Sequence, residues 1–338
     1  MTVTMRHVAE RAGVSLSTVS NVLNRPQRVS EESIRKVQEA IEELGFVRNE
    51  AARQLRDGRG RTIGFVMLDG KNPFFLDIAR GAEERAMLSG FSVTLGDSAR
   101  DRERESSYLD LFEEQRVAGV LISPYGDVLE RLGTLAKHNI GAVLLNRDSN
   151  DPRFSSVSAD DVSGGRLAVE HLIKNGCRRI AFVGSEETTQ FAARYRGATQ
   201  AARLSDGVTL KYVPIVGPHV LAGRSAGVAI SSQDTSERPD GIFAANDIIA
   251  MGILQGLTMG KDRLSIPEDV LVIGYDDIDF AESAVVPLSS VRHPAAVIGR
   301  TAVDILLREA DNPDCHRSHV VFQPEVVERM STRFVFRH

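Results

Sequence analysis

From Thr62 onward the chain alternates short apolar runs with stretches of helical character, and no other feature restricts its fold so strongly. The runs are Ile63–Leu68, Phe91–Leu95, Gly119–Ile122, Ala142–Leu145, Ile180–Val183, Tyr212–Val216, Gly241–Ala245 and Val270–Gly274. Continuous apolar runs of strand length, separated by helices, imply parallel strands covered on both faces. Their division into two sets predicts two similar subdomains with a cleft between them. The stretches 291–323 and 324–338 are expected to return and complete the two sheets.

Parallel sheets of this kind take ligands at the carboxyl ends of their strands. The residues just after each run are therefore the ones to inspect. They are Asp69 and Asn72-Pro73-Phe74-Phe75, then Asn146-Arg147-Asp148, Pro218-His219, Asn246-Asp247 and Tyr275-Asp276-Asp277. Arg194 falls at the start of the helix after Ile180–Val183. Together they offer an aromatic wall and a ring of donors and acceptors, suited to a small polyhydroxylated or otherwise polar ligand. Each has a local structural reading as well. Pro73 suits a first helical turn, Phe74 or Phe75 suits a core, Asp247 suits a helix cap, and Asp277 suits the loop after Gly274.

The first 61 residues have another character. Two short amphipathic segments meet at Gly13, which supplies a permissive backbone for a tight turn. The first carries Val8, Ala9 and Ala12 on one face; the second carries Leu16, Val19, Val22 and Leu23. Helix, turn, helix is the shape that enters a DNA major groove. Ser15 is placed to cap the second helix. Leu16 and Ser17 then lie in its first turn, with Asn21 one turn further on the same side. Ser17 can contact either base type and Asn21 can pair with adenine, while Thr18 and Ser20 suit phosphate oxygens. Thr4 and Asn24 complete the DNA-contacting set expected in this head. A third helix is expected from the Ser30 cap, through Glu31 and Glu32, along the stripe Ile34, Val37, Ile41 and Leu44, to Gly45.

Charge follows the same division. Residues 1–61 hold 11 basic and 8 acidic side chains, whereas the remainder is net −8. A basic head on an acidic body fits a head that meets phosphates. No apolar run is long enough to span a bilayer, and Arg6, His7, Glu10 and Arg11 are too polar for a signal-peptide core. Cys177 and Cys315 make neither a disulfide framework nor a metal site, so a reducing cytoplasm is expected, with no cofactor and no metal. An enzyme is disfavoured. Gly58-Arg59-Gly60 precedes its strand rather than following it, so a dinucleotide fingerprint fails, and no P-loop, H-E-x-x-H or G-x-S-x-G is present.

The order Val8-Ala9, Ala12-Gly13-Val14-Ser15, Ser17-Thr18-Val19-Ser20, Val22-Leu23-Asn24, Val29-Ser30 and Glu43-Leu44-Gly45-Phe46 resembles the lactose-repressor (LacI/GalR) family of bacterial transcription regulators. The resemblance continues through Ile63-Gly64, Asn72-Pro73-Phe74-Phe75, Arg194 with Gly197, Ala245-Asn246-Asp247, Gly274-Tyr275-Asp276-Asp277 and Arg329 to Arg333. It implies a small all-α helix-turn-helix head and an α/β, periplasmic-binding-protein-like body of two parallel-sheet subdomains. It implies that Asn49–Arg56 is a hinge helix, too short to be stable alone, which orders when two copies pair on DNA, contacts it through Asn49 and Ala52 and wedges Leu55 into the minor groove. It also implies that Phe74, Asn146, Arg147, Arg194, Asn246 and Asp276 contact an effector. Four positions depart from the pattern. His7 replaces the usual acidic residue and Arg48 the usual proline. Asn146 stands where sugar-binding relatives often have aspartate. Pro218 lies where many have an aromatic platform, for which Phe191 or His219 are the substitutes; Asp69 joins the expected effector set.

The expected organisation is a DNA-binding domain at 1–48, a hinge and linker at 49–61, and an effector-binding and dimerisation domain at 62–338. The latter divides into about 62–160 plus 291–323 and about 161–290 plus 324–338. The expected function is a sequence-specific regulator, in the repressor sense, whose grip on a pseudo-palindromic double-stranded operator is set by a small polar effector such as a sugar or polyol. A homodimer is expected, with a tetramer as the larger assembly, and no membrane partner. The alternative is a solute-binding protein of the sugar-transport type.

Overall fold

The computed structural model describes residues 3–46, 60–147, 151–185 and 188–333. The chain forms two compact units, residues 1–60 and 61–338. The expected hinge residues Asn49, Ala52 and Leu55 lie outside the described residues.

Among the described residues the first unit contains three α-helices: α1 (Met5–Ala12), α2 (Leu16–Asn24) and α3 (Glu31–Leu44). Their apolar faces meet in a small core of Val8, Ala9, Val19, Val22, Val37 and Ala40. Local chemistry fixes each boundary. Gly13 and Gly45 take left-handed conformations that end α1 and α3. Ser15 Oγ accepts from Thr18 N at 3.0 Å, and Ser30 Oγ accepts from Ser33 N at 3.4 Å. His7, the departure noted above, accepts through Nδ1 from Thr4 N at 3.3 Å, so it still returns to the head of α1 as an acidic residue would.

The second unit carries two six-stranded sheets. In chain order come β1 (Thr62–Met67), α4 (Pro73–Leu88), β2 (Ser92–Asp97), α5 (Arg102–Glu114), β3 (Gly119–Ile122), α6 (Leu129–Lys137), β4 (Gly141–Leu145) and β5 (Ser155–Ala159). Then follow α7 (Asp161–Lys174), β6 (Arg179–Gly184), α8 (Thr189–Arg203), β7 (Thr209–Pro214), α9 (Val220–Ser231), β8 (Gly241–Ala244), α10 (Asp247–Met259), β9 (Leu271–Asp276), α11 (Asp279–Ser283) and β10 (Ser289–Arg292). The chain ends with α12 (Ala295–Asp311), β11 (His319–Phe322) and β12 (Glu325–Val327). The first sheet runs β11-β5-β4-β3-β1-β2 and the second β12-β10-β9-β8-β6-β7. All pairings are parallel except β10 with β12. The central strands β3, β8 and β9 are buried along their whole length, as strands covered on both faces must be.

Four strands escape a reading by apolar runs: β5, β10, β11 and β12. β5 reads Ser-Ser-Val-Ser-Ala, yet its first four residues are buried. Two of its three hydroxyls find partners inside: Ser155 bonds Glu309 and accepts from Ser318 N, and Ser156 bonds His319 Nδ1 at 2.9 Å. The chain passes between the sheets three times, after β5, after β10 and after β11. Because β10 pairs with β9, the second passage falls beyond Arg292 and not at 291. Among the described residues no helix is long and apolar enough to cross a membrane, and no cluster of three potential metal ligands occurs.

Candidate effector cleft and candidate DNA-reading helix

On the head, the outward edge of α2 carries the side chains expected to read DNA. Leu16 is 46% exposed, and Ser17 and Asn21 are also exposed. Ser15 Oγ gathers Thr18 N, Ser17 Oγ and Thr18 Oγ1 within 3.0 Å, so it acts as a cap that also orients two neighbouring hydroxyls. Asn24 folds back instead, donating to Ser20 O at 2.7 Å. Thr4 caps the start of α1 with an exposed side chain. Asn21 thus keeps its amide on the open face, whereas Asn24 is spent on the helix end.

In the body, a narrow cavity lies at the carboxyl ends of both sheets' strands. The first sheet's side supplies Asn72, Phe74, Phe75, Arg100 and Asn146. The second sheet's side supplies Asp161, Thr188, Gln190, Phe191, Arg194, Asn246, Asp276 and His293. The two sides touch directly. Gln190 Nε2 donates to Asn146 O at 2.7 Å, Asn72 Nδ2 donates to Asp276 Oδ2 at 2.9 Å, and the Phe74 ring stacks on His293 with centroids 4.3 Å apart. Asn72 is held in this orientation because its Oδ1 accepts from Phe74 N as the cap of α4.

Arg194, in the second turn of α8, is the electrostatic centre. Only 4% of it is exposed. Its Nε donates to Asp161 Oδ1 at 2.8 Å, its Nη1 to Ala245 O at 2.7 Å, and its Nη2 faces Asp276 Oδ1 at 3.5 Å. The guanidinium lies 3.6 Å from the centroid of the Tyr275 ring. Burial opposes its charge, but the carboxylates of Asp161 and Asp276 outweigh that and raise its pKa above the ordinary arginine range. Asp247 sits at the first turn of α10, fully buried, where it accepts from Ile278 N and Ser290 Oγ. Burial, then nearby Asp276, pushes its carboxyl well above the usual range. The cap of α10 is Asn246, whose Oδ1 accepts from Ile249 N at 2.9 Å, so Asp247 is not the cap its position suggested.

Backbone strain gathers here as well. Asn146 has φ 51° and Asp276 has φ 100°, both at strand ends in the cavity wall. Non-glycine residues seldom adopt such angles, and they cluster at functional sites. Polar atoms are also left over. Among the described residues, both amide atoms of Asn146, Thr188 Oγ1, His293 Nδ1 and Arg100 Nη1 are buried without a hydrogen-bond partner. Each such atom costs about 1–3 kcal/mol unless something satisfies it.

Of the expected effector residues, the fold brings Phe74, Asn146, Phe191, Arg194, Asn246 and Asp276 into the cavity wall. Arg147 lines an adjoining hollow of about 430 Å³ and donates to Gly126 O at 2.7 Å. Asp69 does not line the cavity; it holds Arg100, which does, through a 3.1 Å ion pair. His219 is a correction. β7 is an edge strand of the second sheet, and His219 beyond it is exposed and caps α9 by accepting from Ala222 N. Phe191 therefore supplies the aromatic surface expected of one of the two. Asp161, Thr188, Gln190, Arg100 and His293 were not anticipated. Asp161 and His293 follow β5 and β10, so the strand-end rule finds them once those polar strands are recognised.

A groove-reading helix on one unit and a ligand cavity in the other define a transcription regulator that answers to a small molecule. Residues 4–49 match the model for bacterial regulatory proteins of the lacI family, and residues 169–332 match the periplasmic binding protein-like domain. The chain is 33% identical to the HTH-type transcriptional repressor PurR of Aliivibrio fischeri (strain MJ11), covering 97% of this chain and 98% of that one. It is 31% identical to the ribose operon repressor of Escherichia coli (strain K12), covering 97% and 99%. The lac repressor dimer bound to operator and the anti-inducer ONPF superposes with a TM-score of 0.84 at 25% identity, covering 98% and 99%. The chain belongs to the lacI family of bacterial regulatory proteins. It is a DNA-binding transcription regulator with an effector-binding body, and its relatives favour this over the transport-type alternative.

Proposed function

We propose that this regulator represses transcription as a homodimer, each head reading one half of a pseudo-palindromic operator, and that a small polar effector in the body's cavity sets operator affinity. The observation that carries the reading is the cavity itself: strained, partly unsatisfied polar residues from both sheets converge on one space beside Phe74 and Phe191. A ligand bridging the two sides favours one relative arrangement of them, which is a hinge-type switch. In this reading the DNA-contacting set is Thr4, Ser15, Leu16, Ser17, Thr18, Ser20, Asn21 and Asn24, with Asn49, Ala52 and Leu55 in the hinge segment. The effector set is Phe74, Asn146, Phe191, Arg194, Asn246 and Asp276, supported by Asn72, Asp161 and His293.

Exposed apolar residues support the dimer. Met87 and Leu88 close α4 and Leu95 lies on neighbouring β2, while Leu221, Val228 and Met259 lie on the paired helices α9 and α10. Apolar surface gathered on adjacent elements marks an association face. The ribose operon repressor's name makes pentoses and related polyols the first effectors to try. The protein would act beside the chromosome, in the cytoplasm, without catalytic turnover. A gel-shift with genomic fragments, repeated with each candidate effector, tests the reading. Retarded fragments whose retardation changes with one effector are expected; absence of any retarded fragment contradicts it.

A further inference from the structure

We propose that His293 is a specificity-determining residue of the cavity and that it selects an uncharged effector presenting a hydroxyl or N–H donor. The proposal rests on the cavity being the effector site. His293 is 4% exposed and lines the cavity. Its Nε2 lies 3.3 Å from Asp276 Oδ1. Asp276 Oδ2 already accepts from Asn72, and its Oδ1 also faces Arg194 Nη2. A carboxylate only accepts, so Nε2 carries the imidazole proton. In the neutral ring Nδ1 is then a bare acceptor. That atom is buried and has no partner among the described residues. Stacking on Phe74 at 4.3 Å, with the rings 29° apart, locks the ring plane.

The effector must therefore bring a donor to Nδ1. Asn146 adds one donor and one acceptor, both unpartnered among the described residues, and Thr188 adds a hydroxyl. An anionic group finds the opposite of a welcome. Arg194 is already matched by two carboxylates, and the charge of Arg100 is matched by Asp69, so the one donor Arg100 leaves unpartnered, Nη1, suits a neutral hydroxyl or carbonyl oxygen. A phosphate or carboxylate placed beside Asp161 and Asp276 meets like charge, and it has no proton to give to His293. Beside any contact of its own, Arg194 holds Asp161 and Asp276 in place, while His293, Asn146 and Thr188 join the effector set through their unpartnered atoms.

Two measurements on the full-length protein test this. The first is a long-range proton–nitrogen spectrum of the histidine rings, with His293→Phe used for assignment. The Nε2-protonated form with bare Nδ1 is expected; protonated Nδ1 overturns the assignment. The second is calorimetric titration with matched pairs: D-ribose and D-ribose 5-phosphate, cellobiose and its phosphate ester, a nucleoside and its monophosphate. Binding by uncharged members is expected, weakened about tenfold or more in His293→Phe, which keeps a ring on Phe74 and removes the acceptor. Binding confined to the phosphate esters, or affinity unchanged in His293→Phe, overturns the proposal. A panel in which nothing binds counts against the cavity as the effector site, and the ring spectrum still decides the state of His293.

Discussion

Asn21 and Asn24 share a residue type and a helix, but the structure assigns them different work. Asn24 Nδ2 is tied to Ser20 O, whereas Asn21 stands exposed on the open edge of α2. Asn21→Ala is expected to cost about 1–3 kcal/mol of operator discrimination and to leave stability within about 0.5 kcal/mol. Fluorescence anisotropy with an operator and a thermal melt measure the two effects. Arg194 is more than a ligand contact, because its removal strands Asp161 and Asp276 in the interior. Arg194→Ala should destabilise the protein by about 3–5 kcal/mol, the cost of breaking a buried pair from one side. A urea melt matching the wild type would show that the buried ion set contributes little. At this scale the sequence was legible where polar residues follow an apolar strand: Asn146, Asn246 and Asp276, picked out that way, all line the cavity. It misled at His219, because position along the chain does not reveal that β7 lies at a sheet edge.

At the scale of elements, the helices that carry the site are packed with almost no clearance. Gly165 on α7 faces the Arg194 carbonyl, and Gly197 on α8 faces the Val162 carbonyl, so a methyl at either position would overlap backbone. Gly165→Ala should therefore push α7 from α8, cost about 1–3 kcal/mol as overpacking does, and displace Arg194 without removing a polar group. Its mark would be weakened effector binding with the head's operator contacts chemically intact, read by calorimetry and gel-shift together. The end of α7 is pinned to the C-terminal segment by His171, whose Nε2 pairs with Thr332 Oγ1 at 2.7 Å. Burial lowers the His171 pKa, with Lys174 adding to the effect and Glu328 opposing it. The stability this provides is complete above the unfolded pKa of about 6.5 and is lost as pH falls through the lower folded value. The melting temperature should drop as pH falls below about 6.5, and His171→Gln should flatten that part of the profile. Element existence was readable where both faces are apolar, as in β3 and β9. It was not readable for β5, where serines replace aliphatic side chains and internal partners take up the hydroxyls of Ser155 and Ser156.

For the whole molecule, the two-sheet architecture follows from the repeated strand–helix alternation, because parallel strands demand crossover helices and a strand-end ligand site. The head follows from its caps and turns, which are local signals. The cross-cavity contacts are not local. Gln190 meets Asn146 and Asn72 meets Asp276 across 44 and 204 positions of sequence, and no periodicity announces either. These contacts join the two sides of the cavity, so whatever fills it must compete with them or complete them. The central claim is that filling the cavity and gripping the operator are one coupled equilibrium. Coupling of about 1–3 kcal/mol is typical and must be reciprocal. The most direct test is to measure operator affinity with and without saturating effector, and effector affinity with and without saturating operator, on the same preparation. The account predicts that both affinities change by the same factor, about 5- to 150-fold. Operator affinity that stays the same at saturating effector would contradict it.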